Sequence, residues 1–234
     1  MQTHFTLGKD DIEKAKEFAL TIRQKNAQSP SDFGEHELRR KDVDFGADTI
    51  EGKLSEIIFA KFIQHNAGYE IEPDFDIYDD PLLIDYGQDI DLVKAGGKSY
   101  RCRSRVDVKA TRNYSQWLLV ESHKFWADAY VLVKMDLPRD FEKDISSLDR
   151  GSVSGEVSGF AYHFDIIDPA GKKPWFRFNK GDQLFNPNIL SNIPKGVMRN
   201  PDQIARWLDD ASTLKKIGYP LKAKTNYGIP VSWL

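Results

Sequence analysis

Residues 104–111 read SRVDVKAT, and one valine separates Asp107 from Lys109. Valine, threonine and strict alternation mark this segment as a β-strand, whose successive side chains point to opposite faces. On a continuous strand SYRCRSRVDVKA, Arg101, Arg103, Arg105, Asp107 and Lys109 share one face, and Tyr100, Cys102, Ser104, Val106 and Val108 share the other. One face is therefore wholly charged. Val106, Val108 and Ala110 predict that the far end of the strand is packed, so its charges need partners there.

Working outward, the runs LLIDYGQDIDLV, QWLLV, AYVLVKM, GFAYHFDII and WFRFN read as further strands. Gly96-Gly97, between two alternating segments, predicts a hairpin. Residues 121–128, ESHKFWAD, suit a short helix or turn. Ile12, Ala15, Phe18, Ala19 and Ile22 recur at helical spacing and predict an amphipathic helix from Asp10 to about Gln28. Ile50 to Ile63 predicts a second helix capped by Asp48 or Thr49, apolar around most of its circumference and hence buried. Asn200 as N-cap, Pro201 as first helical residue and Gln203 predict a third helix over 200–217.

With 234 residues, 40% hydrophobic and 29% charged, the chain has the composition of a soluble globular protein that can bury a large core. The expectation is one α/β domain, a central mixed β-sheet flanked by helices, with a core at about 48–136 and a C-terminal elaboration at about 150–234. The start, MQTHFTLGKDDIEKAKEF, lacks the pattern of a secretory signal, and no run of ~18 apolar residues predicts a membrane span; a cytoplasmic location is expected. A single cysteine, Cys102, excludes an intrachain disulfide and is read as packing. The five histidines are scattered, and no P-loop, G-x-G-x-x-G, H-E-x-x-H or G-x-S-x-G motif is present.

Charge is unevenly placed. Residues 150–234 hold 12 Lys/Arg against 7 Asp/Glu, and residues 1–149 hold 21 against 29. Nine acids and no Lys or Arg fill residues 66–93, whereas 94–112 hold seven Lys/Arg and one acid, so an acidic segment abuts a basic one. Asp91 and Asp89 precede Asp107 by 16 and 18 residues, across the Gly-Gly turn. A hairpin brings either of them beside Asp107. Two carboxylates with a lysine form a hard oxygen site suited to Mg²⁺, and such a site polarises a phosphodiester and activates water.

These residues resemble the PD-(D/E)XK phosphodiesterases, whose core many type II restriction endonucleases share. The resemblance rests on DIDLV (89–93), the turn, VDVKAT (106–111) and the preceding helix EGKLSEIIFAKFI (51–63), and covers roughly residues 50–135. It implies a restriction-endonuclease-like core in which Asp91 and Asp107, helped by the Val108 carbonyl, hold Mg²⁺. The resemblance also implies that Lys109 orients the attacking water and supports charge at the phosphate, and that Glu56 completes or organises the metal site from the helix, although periodicity alone does not favour it over Glu51. Asp91 is favoured as the first ligand, with Asp89 as the alternative and Asp85 as a third candidate; the literal Pro73-Asp74 is read as a loop. The implied activity is Mg²⁺-dependent, sequence-specific cleavage of double-stranded DNA by a homodimer, leaving 5′-phosphate and 3′-hydroxyl ends. The alternatives are a structure-selective or repair nuclease of the same fold and a non-catalytic DNA-binding protein. Candidate DNA contacts are Arg101, Arg103 and Arg105, together with Asn179, Lys180, Gln183, Asn186, Asn188, Asn192 and Arg199, whose side chains suit phosphates and purine edges.

Overall fold

The apolar segment Ile50 to Ile63 lies against more of the protein than any single face could cover. In the computed structural model, which describes residues 1–28, 42–76, 88–141, 143–170, 172–193, 197, 200–210, 216–217, 221 and 225–234, it belongs to helix α2 (Asp42–Ala67). Leu54, Ile57, Ile58, Phe59 and Phe62 are all buried. The helix begins earlier than the sequence suggested, so Asp48 and Thr49 lie inside it and are not its caps. Helix α1 (Lys9–Gln28) packs along it through Ile12, Ala15 and Ala19, and Lys61 pairs with Asp11 at 3.1 Å.

Four strands form a mixed sheet beside α2: β1 (His4–Thr6), β5 (Val106–Arg112), β7 (Ala129–Asp136) and β8 (Ser154–Tyr162), in the order β1-β8-β7-β5. β5 and β7 are parallel, and the other pairs are antiparallel. Val106, Val108 and Ala110 join Val131, Val133, Met135 and Val157 on the face that α2 covers. Tyr130, Leu132 and Ala161 line the opposite face. The molecule is thus α/β, with a mixed sheet flanked by helices.

A second sheet, β11 (Phe176–Asn179), β14 (Thr225–Pro230) and β6 (Trp117–Glu121), covers that opposite face through Leu118, Val120 and Ile229. Alternation sends Trp117 outward into a third cluster with Phe176, Phe178, Phe185, Leu190 and Ile204. Three phenyl rings meet the Trp117 indole edge-on at 5.0–5.2 Å, and its Nε1 donates to the Phe185 carbonyl at 2.9 Å. An indole buried this way keeps its single donor satisfied. This layer also holds helix α4 (Pro201–Asp210) and the short pairs β9 (Ile167–Asp168) with β10 (Lys173–Pro174) and β12 (Leu184–Phe185) with β13 (Lys216–Ile217).

Asn200 caps α4 as expected, its Oδ1 accepting from Asp202 N–H at 2.8 Å and Gln203 N–H at 3.3 Å. Among the described residues the helix spans Pro201–Asp210 and Lys216–Ile217 is strand, which corrects the expected reach to 217. The expected strand GFAYHFDII is likewise divided: β8 ends at Tyr162, and His163–Ile166 forms the helical turn α3, whose capping box joins Tyr162 and Asp165. Among the described residues, no helix is long and apolar enough to cross a membrane.

Candidate active site

The Gly-Gly turn forms as expected. Gly96 and Gly97 both take positive φ, 56° and 74°, a conformation that glycine adopts without a Cβ clash and that two-residue hairpins favour. They join β3 (Ile90–Ala95) to β4 (Lys98–Arg101), with β2 (Glu70–Pro73) on the other side of β3. The hairpin does not, however, contain Asp107. The stretch expected as one strand breaks at residues 102–105, and β5 leaves for the main sheet. The five charged residues therefore do not share a face. Arg101 lies on β4, Arg103 in the break, and Arg105 just before β5, where its guanidinium pairs with Asp128 at 3.3 Å.

Asp107 and Lys109 remain a pair on β5. Asp107 and Lys109 point away from α2, and Lys109 Nζ lies 2.7 Å from Asp107 Oδ2. The Asp107 side chain is only 6% exposed and that of Lys109 24%. Burial by itself would lower the lysine pKa. The charges of Asp107, Asp89 and Glu121, with the hydrogen bond to Asp107, outweigh it and hold the ammonium above its ordinary range. Taking a carboxylate and an ammonium out of water costs several kcal/mol for each ion, so a pair kept there is a candidate for chemistry.

Asp89, not Asp91, reaches this pair. Asp89 Oδ2 accepts the Val108 N–H at 2.5 Å, and the Asp89 N–H donates to the Val106 carbonyl at 2.8 Å. The reason is a bulge. Glu72 pairs with Leu92 and Pro73 with Ile90, which leaves Asp91 as the extra residue of β3. A bulge re-aims the side chains beside it. Asp91 is partly buried, and its carbonyl accepts the Cys102 N–H at 2.8 Å. Pro73-Asp74 is also closer than a remote loop: the Asp74 N–H donates to the Asp89 carbonyl at 2.9 Å. Asp85 lies outside the described residues.

Glu56 is buried on α2, its carboxylate 2.8 Å from Lys53 Nζ. Because α2 packs on the Val108 face while Asp107 and Lys109 face the other way, Glu56 approaches from the opposite side of β5. Glu121 was not anticipated as part of this neighbourhood. It closes β6, and although burial raises its pKa, Lys124, His123 and Lys109 together hold it below the ordinary carboxylate range. β6 is positioned both by pairing with β14, far along the chain, and by packing Leu118 and Val120 against the main sheet.

Among the described residues, no three His, Cys, Asp or Glu side chains gather closely enough to hold a metal ion. A smaller donor set adjoins the Val108 amide: the Asp89 carboxylate on its N–H, the Asp107 carboxylate one residue before it, and its own carbonyl. In a strand, the N–H and C=O of one residue point to the same side, so the Val108 carbonyl emerges on the side where Asp89 meets its N–H. Two carboxylates and a carbonyl are hard oxygen donors, which fits Mg²⁺ with most of its shell left to water.

The expected recognition residues lie in the C-terminal layer. Asn179, Lys180, Gln183, Asn188 and Asn192 are exposed. Asn186 serves locally, its side chain accepting the Asn188 N–H at 3.0 Å to cap a 3₁₀ turn. Arg199 lies outside the described residues. No family model, curated protein or solved structure matches this chain.

Proposed function

We propose that the chain is a Mg²⁺-dependent DNA endonuclease with a restriction-endonuclease-like core, in which Asp89, Asp107 and Lys109 form the catalytic centre. The observation that supports this most is the buried Asp107–Lys109 pair, with the Asp89 carboxylate bound to the Val108 N–H between them. Asp89 replaces Asp91 as the proposed first acid.

In this reading Asp89, Asp107 and the Val108 carbonyl hold the ion, which when bound supplies Lewis-acid polarisation of the phosphate and a more acidic water. Lys109 stays an ammonium, because the carboxylates around it keep its proton on. It therefore acts as a donor and a positive charge, steadying the attacking water and the phosphate oxygens as negative charge builds. Hydrolysis forms a bond from the water oxygen to phosphorus and breaks the bond to the 3′ oxygen, which leaves as a hydroxyl after taking up a proton. The exposed Arg101 and Arg103 suit backbone phosphates, and the exposed Asn, Gln and Lys of the C-terminal layer suit base edges. Each centre attacks one strand, so a twofold dimer serves a symmetric duplex site.

The test is incubation of a fully sequenced plasmid with the protein, with and without Mg²⁺, and mapping of the ends. Discrete fragments from one short sequence, carrying 5′-phosphates and absent with Asp107→Ala, support the reading. Intact plasmid with wild-type protein and Mg²⁺ overturns it. Cleavage confined to flaps, junctions or mismatches replaces sequence specificity with structure selectivity.

A further inference from the structure

The proposed centre uses two side chains of β5 and one from the segment before β3, and leaves unexplained a second buried ion pair, on α2. Lys53 lies on α2, one turn before Glu56; the two side chains are 12% and 6% exposed. The Lys53 ammonium donates to Glu56 Oε2 at 2.8 Å and to the Asp74 carbonyl at 2.5 Å. The Phe18 and Phe75 rings lie 4.7 and 5.3 Å from it. A lysine whose charge is met by a carboxylate, a carbonyl and two ring faces is held in one place.

What it holds is the backbone of Asp74, and from there the bonds continue. The Asp74 N–H donates to the Asp89 carbonyl, the Asp89 N–H to the Val106 carbonyl, and the Asp89 carboxylate takes the Val108 N–H. Asp89 is thus fixed on both backbone sides and at its side chain. The bonds run without a gap from Lys53, on the helix side of the sheet, to the strand that carries Asp107 and Lys109.

We propose that Lys53 is a positioning residue of this centre: anchored by Glu56, it fixes the Asp74 carbonyl and through it sets the Asp89 carboxylate against β5. Glu56 then acts through Lys53 and does not touch the ion. This rests on the reading of Asp89 and Asp107 as metal-holding acids, but its first consequence is a backbone one that can be observed without metal or DNA.

Three variants decide it: Lys53→Met, which keeps the aliphatic stem; Lys53→Arg, which keeps a charged donor; and Glu56→Gln, which keeps an acceptor for Lys53 but removes a metal-binding carboxylate. The first measurement is amide hydrogen exchange at Val108, with Val131 and Val133 of β7 as references. Lys53→Met is expected to speed exchange at Val108 about tenfold relative to β7, because the Asp89 acceptor is no longer held, and Lys53→Arg to restore most of the protection. The second is Mn²⁺ binding without DNA, followed by electron paramagnetic resonance. Lys53→Met is expected to weaken it about tenfold, in the range seen for residues that support metal ligands, while Glu56→Gln stays close to wild type and Asp107→Asn loses it.

Unchanged Val108 exchange in Lys53→Met overturns the positioning role, even if the wild-type protein binds Mn²⁺ and cuts DNA. Glu56→Gln losing Mn²⁺ as completely as Asp107→Asn overturns it too, since Glu56 is then a ligand, and this outcome decides the matter should Lys53→Met not fold. Faster Val108 exchange in Lys53→Met with no Mn²⁺ binding by wild type upholds the backbone coupling and overturns its link to a metal centre.

Discussion

Lys53–Glu56 and Lys109–Asp107 are the same chemical pair in two settings. Both are buried lysine–carboxylate contacts shorter than 3 Å, at 2.8 and 2.7 Å. The first is closed: its ammonium meets a carboxylate, a backbone carbonyl and two aromatic rings. The second meets carboxylates only, with Asp107 hydrogen-bonded to it and Asp89 and Glu121 acting through their charge at longer range. Twice as much of Lys109 as of Lys53 is exposed, 24% against 12%. A pair saturated by fixed groups holds structure, whereas one surrounded by negative charge can exchange its cation for another.

The widest separation is expected in activity. Asp107→Ala should lower Mg²⁺-dependent plasmid cleavage by about 10³-fold or more, with DNA binding retained in Ca²⁺, while Glu56→Gln stays within about threefold of wild type. Equal losses in a timed digestion would erase the distinction between the pairs. Stability should rank them the other way. Glu56→Ala strands a buried ammonium and should cost about 3–5 kcal/mol in urea unfolding, and Asp107→Ala should cost less because Lys109 can turn toward water.

How much of this could be read from the chain follows from what each feature depends on. Asp107 and Lys109 were legible because two residues on one strand share a face whatever the strand pairs with. The choice of Asp89 over Asp91 was not, because it depends on a bulge that pairing with Glu72 and Pro73 creates. The break between β4 and β5 falls in RCRSR, which carries no glycine or proline to announce it. Lys53 stands three residues before Glu56 and reads as an ordinary helix-surface pair until Asp74 and Phe75 are folded over it. Helix α2 was recognised by its apolar content and missed at its start, where Asp48 and Thr49 look like caps.

Acidity offers a finer probe of the second pair. Lys109 in the folded chain titrates above its ordinary 10.5. Its stabilising contribution is complete below that value and fades as pH rises through the raised one, since only the folded state then still holds the proton. Nitrogen NMR of the ε-ammonium should show this, and Asp107→Asn should move the titration down by removing the nearest charge. A wild-type Lys109 that deprotonates below 10.5 would contradict the arrangement of acids around it. The smallest expected change concerns the exposed arginines. Arg103→Ala, outside both pairs, should leave folding intact and reduce the slope of log binding constant against log salt by about one.

The crossover from β5 to β7 passes through β6, and β6 pairs with β14 at residues 225–230. Contacts between segments so distant in sequence form late, because a long loop must close first. While the chain emerges from a ribosome, the span linking Asp107 to its parallel neighbour has no strand partner until those residues arrive. A shortened polypeptide lacking 225–230 would keep β5 and its pairing with β7 but lose the strand that partners Glu121, and with it one of the charges that keep the proton on Lys109.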